Sequence, residues 1–174
     1  FPLPPAPIPF NDTGLTQCMD ITGGFSDDCA GSGQDAAFGR DMRYSNPRNG
    51  AAGFKFARVC NSGQAAGFGD CPLVPVLGAG PNDWACTLDR VTGLMWEMKT
   101  TDGGPHDQLR LFTSFGFQQV GGLTDTSTFV TRTNRRKLCG NSDWRIPRQS
   151  EMVGITHYGA PKPGPAIDDA FFPN

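Results

Sequence analysis

The run RTNRRK (residues 132–137) concentrates more charge of one sign than any other short stretch of the chain. On a helix, Arg132, Arg135 and Arg136 stand at i, i+3 and i+4, so together with Lys137 they form a cationic face suited to sulfate or carboxylate groups. The same cations also suit a solvated helix end, where they complement the dipole. A second candidate chemistry is calcium binding by Asp27, Asp28, Asp35 and Asp41. Calcium loops place oxygen ligands at tight alternate spacing, as in DxDxDG, and that pattern is missing. These aspartates read better as turn residues that bond their own backbone, and no metal or other cofactor is expected.

Catalysis has little support. The two histidines, His106 in a Gly-Pro loop and His157 late in an expected helix, belong to no HExxH motif, and neither GxSxG nor a phosphate-cradling glycine loop occurs. Asp143 and Glu97 could be drawn as an acid/base pair. Each has an ordinary role instead, as a strand-end partner for Arg145 and as a solvent-side hairpin residue. The chain is expected not to be an enzyme.

The elements that position these residues must be largely loop. Only 37% of the 174 residues are hydrophobic, while Gly (23) and Pro (15) are abundant. Six cysteines supply a restraint that core area does not. Cys18 and Cys29 enclose ten residues, as do Cys60 and Cys71, leaving Cys86 and Cys139. Of the 15 possible connectivities, this loop symmetry favours 18–29, 60–71 and 86–139. No CxxC spacing points to zinc or redox chemistry. A net charge of −2 gives no general attraction to nucleic acid, and no apolar run is long enough to span a bilayer. With a start at Phe1 rather than Met, the expectation is a mature secreted protein, extracellular or at the cell surface, with no nucleic-acid partner and no membrane insertion.

Three regions follow. Residues 1–10, FPLPPAPIPF, form a Pro-rich extended arm whose Phe1, Leu3, Ile8 and Phe10 need a surface to cover them; a disordered terminus is the alternative reading. Residues 11–82 form a Gly/Asn/Asp-rich, disulfide-stapled extension with a strand-like alternation at Phe54 and Phe56. Residues 83–174 hold an expected hairpin in WACTLDRVTGLMWEMKT, with Leu94 and Trp96 on one face. A helix then follows Asp125, Thr126 or Ser127, with Phe129, Val130, Thr133 and Leu138 near one stripe and Gly140 as its stop. In CGNSDWRIP, Trp144 should enter the core while Asp143 and Arg145 share the opposite face and pair or bond nearby backbone. A second helix should open at Pro147, bury Met152, Ile155 and Tyr158, and end at Gly159.

TGLMWE (92–97), LCGNSDWRIP (138–147) and PAIDDAFFPN (165–174), in this order, resemble the Lcl_C family, the C-terminal domain of the Legionella collagen-like adhesin and its bacterial relatives, over about residues 84–174. PFNDTG and GQDAAFGRD are similar to extensions of secreted members. The resemblance implies an α+β, C-type-lectin-like domain with two helices and antiparallel strands, a cell-surface role, and structural use of Trp96, Asp143, Trp144 and Arg145. It also implies strands beyond the FPN at which this sequence stops, so the domain is expected to lack its usual C-terminal strands. The named relative is a trimeric adhesin that binds sulfated glycans. Two functions are therefore expected: a structural subunit of an extracellular homo-oligomer or fibre, with the arm as assembly element, or an adhesin module binding anionic or sulfated glycans through Arg132, Arg135, Arg136 and Lys137.

Overall fold

The computed structural model describes residues 10–44, 46–113, 125–161 and 163–173. Phe1, Leu3 and Ile8 of the expected arm lie outside the described residues, and Phe10 is exposed. The fold is α+β. In chain order, strands β1 (Cys18–Met19) and β2 (Phe25–Ser26) precede helix α1 (Asp41–Tyr44). Strands β3 (Phe56–Cys60), β4 (Trp84–Asp89) and β5 (Met95–Glu97) come next, then helices α2 (Thr126–Arg136) and α3 (Gln149–Val153). β1 and β2 pair antiparallel; the larger sheet has the order β3-β4-β5. The disulfides are Cys18–Cys29, Cys60–Cys71 and Cys86–Cys139. By loop entropy each short bridge stabilises by about 3 kcal/mol and the long one by about 4 kcal/mol. Peptide mapping without reductant should recover these three bonds, and a free thiol at any of the six positions would contradict the stapled fold.

The chain divides into two compact units that do not follow sequence order: Phe1–Phe56 with Asp89–Leu94 and Arg148–Pro173, and Ala57–Leu88 with Met95–Pro147. The first unit is knotted by carboxylates. Buried Asp12 accepts the backbone N–H groups of Gly14, Arg40 and Asp41, while the Thr13 hydroxyl donates to Asp35. NDTG and GQDAAFGRD are thus two halves of one hydrogen-bonded structure. Asp168 likewise accepts from Ala51 and Ala170. Asp35 serves this knot through its carboxylate and Asp41 through its backbone N–H, and among the described residues no group of three or more His, Cys, Asp or Glu side chains could hold a metal ion.

Aromatic rings fill the space these bonds enclose. Phe54 and Phe56 are buried and stacked with centroids 5.4 Å apart, with Lys55 exposed between them. Phe56 also meets Phe171 at 5.6 Å and Phe172 edge-on at 5.1 Å. The C-terminal AFFP segment therefore belongs to this core. His157 packs on Phe54 at 5.7 Å and lies outside any helix, contrary to expectation. Its Nδ1 faces Gly14, where a Cβ would come within 2.3 Å of the ring and where φ is +77°, so only glycine fits on both counts.

Burial holds the His157 pKa below its ordinary value of 6.5, although the charges of Asp168 and Asp12 pull the other way. An unfolded chain therefore takes up this proton at higher pH than the folded one does. Stability is fully present above about pH 6.5 and declines as pH falls through the unfolded value. Thermal melts should show this loss between neutral and mildly acidic pH, and His157→Gln should flatten it; an unchanged slope in the variant would assign the acid sensitivity elsewhere.

The hairpin of β4 and β5 is present, with Cys86 opposite Glu97, Thr87 opposite Trp96 and Leu88 opposite Met95. Its turn is organised by Asp89. This fully buried carboxylate accepts from the backbones of Val91 and Thr92, from the Thr92 hydroxyl and from the Asn11 amide. As the middle strand, β4 is buried on almost every residue and so shows no alternation.

α2 has the expected length of about three turns but a different stop, and α3 is shorter than the sequence suggested. Asp125 caps α2 by accepting the Ser127 N–H, but the helix ends at Lys137, a left-handed residue, rather than at Gly140. Lys137 and Cys139 both have positive φ. Together they turn the chain sharply enough to bury Leu138 and Cys139 beneath Val59, Ala85 and Cys86. α3 begins after Arg148, whose N–H is accepted by Glu151, so Pro147 precedes the helix instead of opening it. It stops at Gly154. The expected stripe therefore breaks: Ile155 is buried beyond the helix, while Met152 and Tyr158 are exposed.

Candidate functional site

The second unit carries a cleft of about 140 Å³ lined by Asn61, Thr100, Asp102, His106 and Arg136 over a floor of Ala85, Met98 and Leu138. Asp102 and His106 are fixed by local chemistry. The strand leaving β5 turns at TDGG, where Asp102 accepts from the Thr100 hydroxyl at 2.7 Å and from the Gly104 N–H at 2.8 Å. These two bonds, the hydroxyl first, hold the Asp102 carboxyl below the usual carboxylate range.

His106 is fixed from behind. One Glu97 carboxylate oxygen lies 2.8 Å from His106 Nδ1 and 2.8 Å from Lys99 Nζ. Glu97 is thus mostly buried in an ion-paired cluster, not the solvent-side residue expected from the hairpin pattern. Lys99 in turn lies over the rings of Phe129 (5.0 Å) and Phe112 (5.8 Å), and His106 meets Phe129 edge-on at 5.4 Å. With Nδ1 committed to a carboxylate, the other ring nitrogen is the one left for the cleft. Asp143 is exposed and sits in the DWR segment.

Arg132, Arg135 and Arg136 stand on α2 as the RTNRRK spacing predicts, all exposed, with Lys137 as the cap. Among the described residues none of the three arginine side chains makes a hydrogen bond or ion pair. Arg136 reaches the cleft, whereas Arg132, Arg135 and Lys137 do not line it. The cleft can therefore present a guanidinium fork, an ionised carboxylate and an imidazole nitrogen to one small polar group. Sequence reading found the arginine but missed Asp102, Thr100 and the Glu97–His106 contact; the TDGG turn was the available signal.

Trp144 is half-buried against the cluster of Val59, Ala85, Cys86, Leu138 and Cys139, and its indole N–H donates to the Leu138 carbonyl at 3.0 Å. Asn134 of α2 clamps its backbone, accepting the Trp144 N–H at 2.6 Å and donating to its carbonyl at 2.9 Å. Asp143 and Arg145 are exposed, and the Arg145 guanidinium donates to the Ile146 carbonyl at 3.3 Å. Trp96 is half-buried on β5 opposite Thr87.

These features define a disulfide-stapled α+β domain in which a short antiparallel hairpin is tied to the end of a helix. Residues 85–174, more than half of the chain, match the Lcl C-terminal domain family, and the chain belongs to that family. The family is associated with bacterial surface adhesins. No curated protein and no solved structure matches the chain. Among the described residues, no helix is long and apolar enough to cross a membrane.

Proposed function

We propose that this chain is a non-enzymatic structural subunit of a secreted, extracellular assembly or fibre at the bacterial surface. The observation that carries this reading is the outward display of large apolar side chains by braced segments. In the first unit Ile21, Phe25, Phe38 and Met42 face solvent; in the second, Phe68, Leu73, Val74 and Val76 do so around the Cys60–Cys71 loop. Scattered apolar residues are ordinary on a surface, but clusters on rigid loops favour a partner that covers them. Homo-oligomerisation needs no other component. Structural roles for both histidines, one packed on Phe54 and one held by Glu97, support the non-enzymatic reading. The bridge from β4 to the end of α2, beside short antiparallel strands, supports a C-type-lectin-like arrangement. Sedimentation velocity across a wide concentration range should show association of the oxidised protein; a monomer throughout would overturn this reading.

A second reading, an adhesin module for anionic or sulfated glycans, is favoured by Arg136 in the cleft with Asp102 and His106. Charge reversal at Arg132 and Arg136 should then weaken binding to a sulfated polysaccharide several-fold and flatten its salt dependence, because exposed ionic contacts are screened. Binding unchanged by these substitutions would return the arginines to a solvated helix end.

A further inference from the structure

The β1–β2 hairpin inverts the usual pattern of a solvent-facing ribbon. Successive residues alternate between faces. Cys18 and Ser26 are paired and turned inward, with Cys18 bonded to Cys29 beneath. The outward face then carries Gln17, Met19, Phe25 and Asp27. Gln17 donates to Asp27 at 2.9 Å, while Met19 and Phe25 sit directly opposite each other, 54% and 72% exposed, with Ile21 fully exposed at the tip.

This apolar tip is held rigid. Asp20 gathers the turn by accepting the backbone N–H groups of Thr22 and Gly24 and the Thr22 hydroxyl. Gln34 clamps the base, accepting from the Met19 N–H at 2.9 Å and donating to its carbonyl at 2.7 Å. A braced loop loses little entropy on binding, so its exposed side chains are well suited to contact. Met19, Ile21 and Phe25 offer on the order of 400 Å² of apolar surface, about half of the ~800 Å² per partner in a standard interface. The rest must come from the rim, which is acidic: Asp20, Asp27 and Asp28 are all exposed.

An acidic rim disfavours the same face of another copy and any anionic surface. It favours an apolar surface bearing cations, and the second unit has one. Segment 109–112 packs onto α2 through Phe112 and Phe129, with centroids 4.6 Å apart, and shows Leu109 and Leu111 to solvent at 82% and 84% exposure. The helix it joins carries the exposed Arg132, Arg135 and Arg136.

We propose that the Met19–Ile21–Phe25 face of one copy docks on the Leu109–Leu111 segment and the arginine face of α2 in a second copy. Such a head-to-tail contact leaves one free surface of each kind after every addition, and it propagates unless its rotation closes a ring. The inference rests on the assembly reading and specifies its contact.

Two double variants test it by sedimentation velocity: Ile21→Ser with Phe25→Ser, and Leu109→Ser with Leu111→Ser. All four positions are exposed, and peptide mapping without reductant verifies that each variant keeps the three disulfides. Each alone should remain monomeric at concentrations where the parent assembles, an apparent affinity loss of at least tenfold. Mixed in equal amounts they should form a dimer and stop there, since only one intact hairpin meets one intact receiving surface. Assembly of either variant at the parent's level, or a mixture that stays monomeric, overturns this contact while leaving assembly itself intact. A parent that is monomeric throughout overturns the assembly reading and this contact with it.

Discussion

Phe56→Ala should destabilise the first unit by about 3–5 kcal/mol, the loss expected when a buried aromatic is truncated and the cavity relaxes only in part. Phe56 is buried and touches three rings, those of Phe54, Phe171 and Phe172. Two of these come from the C-terminal segment, so the cavity would open between parts of the chain more than a hundred residues apart. Denaturant unfolding followed by tyrosine and tryptophan fluorescence and by circular dichroism measures the loss. A cost below about 1 kcal/mol would mean that AFFP does not belong to this core.

Trp144→Ala should cost about 3 kcal/mol, combining lost packing against the Cys86–Cys139 cluster with loss of the indole's hydrogen bond to the Leu138 carbonyl. Arg145→Ala, one residue away, should cost less than about 1 kcal/mol, because Arg145 is exposed to solvent. The contrast separates architecture from binding within one motif. If Trp144→Ala were as stable as the parent while a binding activity vanished, the structural assignment of this segment would be wrong.

The legible parts of the fold were those governed by local rules. The Thr-Gly hairpin, a helix start capped by one of Asp125, Thr126 or Ser127, and the i, i+3, i+4 arginine face on α2 all follow from short-range spacing, as does the alternation at Phe54 and Phe56. Helix ends were less legible. Gly140 is a good stop by residue type, yet the chain stops at Lys137, because burying Leu138 and Cys139 outweighs left-handed backbone at Lys137 and Cys139. Met152 and Tyr158 fit a buried stripe only if α3 continues, and Gly154 ends it.

Carboxylate roles were the least legible. Asp12, Asp89 and Asp168 look like surface turn residues in a Gly-rich chain; their partners, such as Arg40, Asn11 and Ala51, lie far away in sequence or gain meaning only when buried. The same holds for the cleft. Arg136 was visible by charge, but the Glu97–His106 contact depends on a loop folding back on a strand end, which no periodicity encodes.

The central claim, that this is an assembling subunit, is tested most directly by negative-stain microscopy of the native protein recovered from its producing cells under non-reducing conditions. Ordered fibres or closed oligomers of uniform size are the expected result. Dispersed particles no larger than one chain would contradict it and leave the glycan-binding module as the better reading.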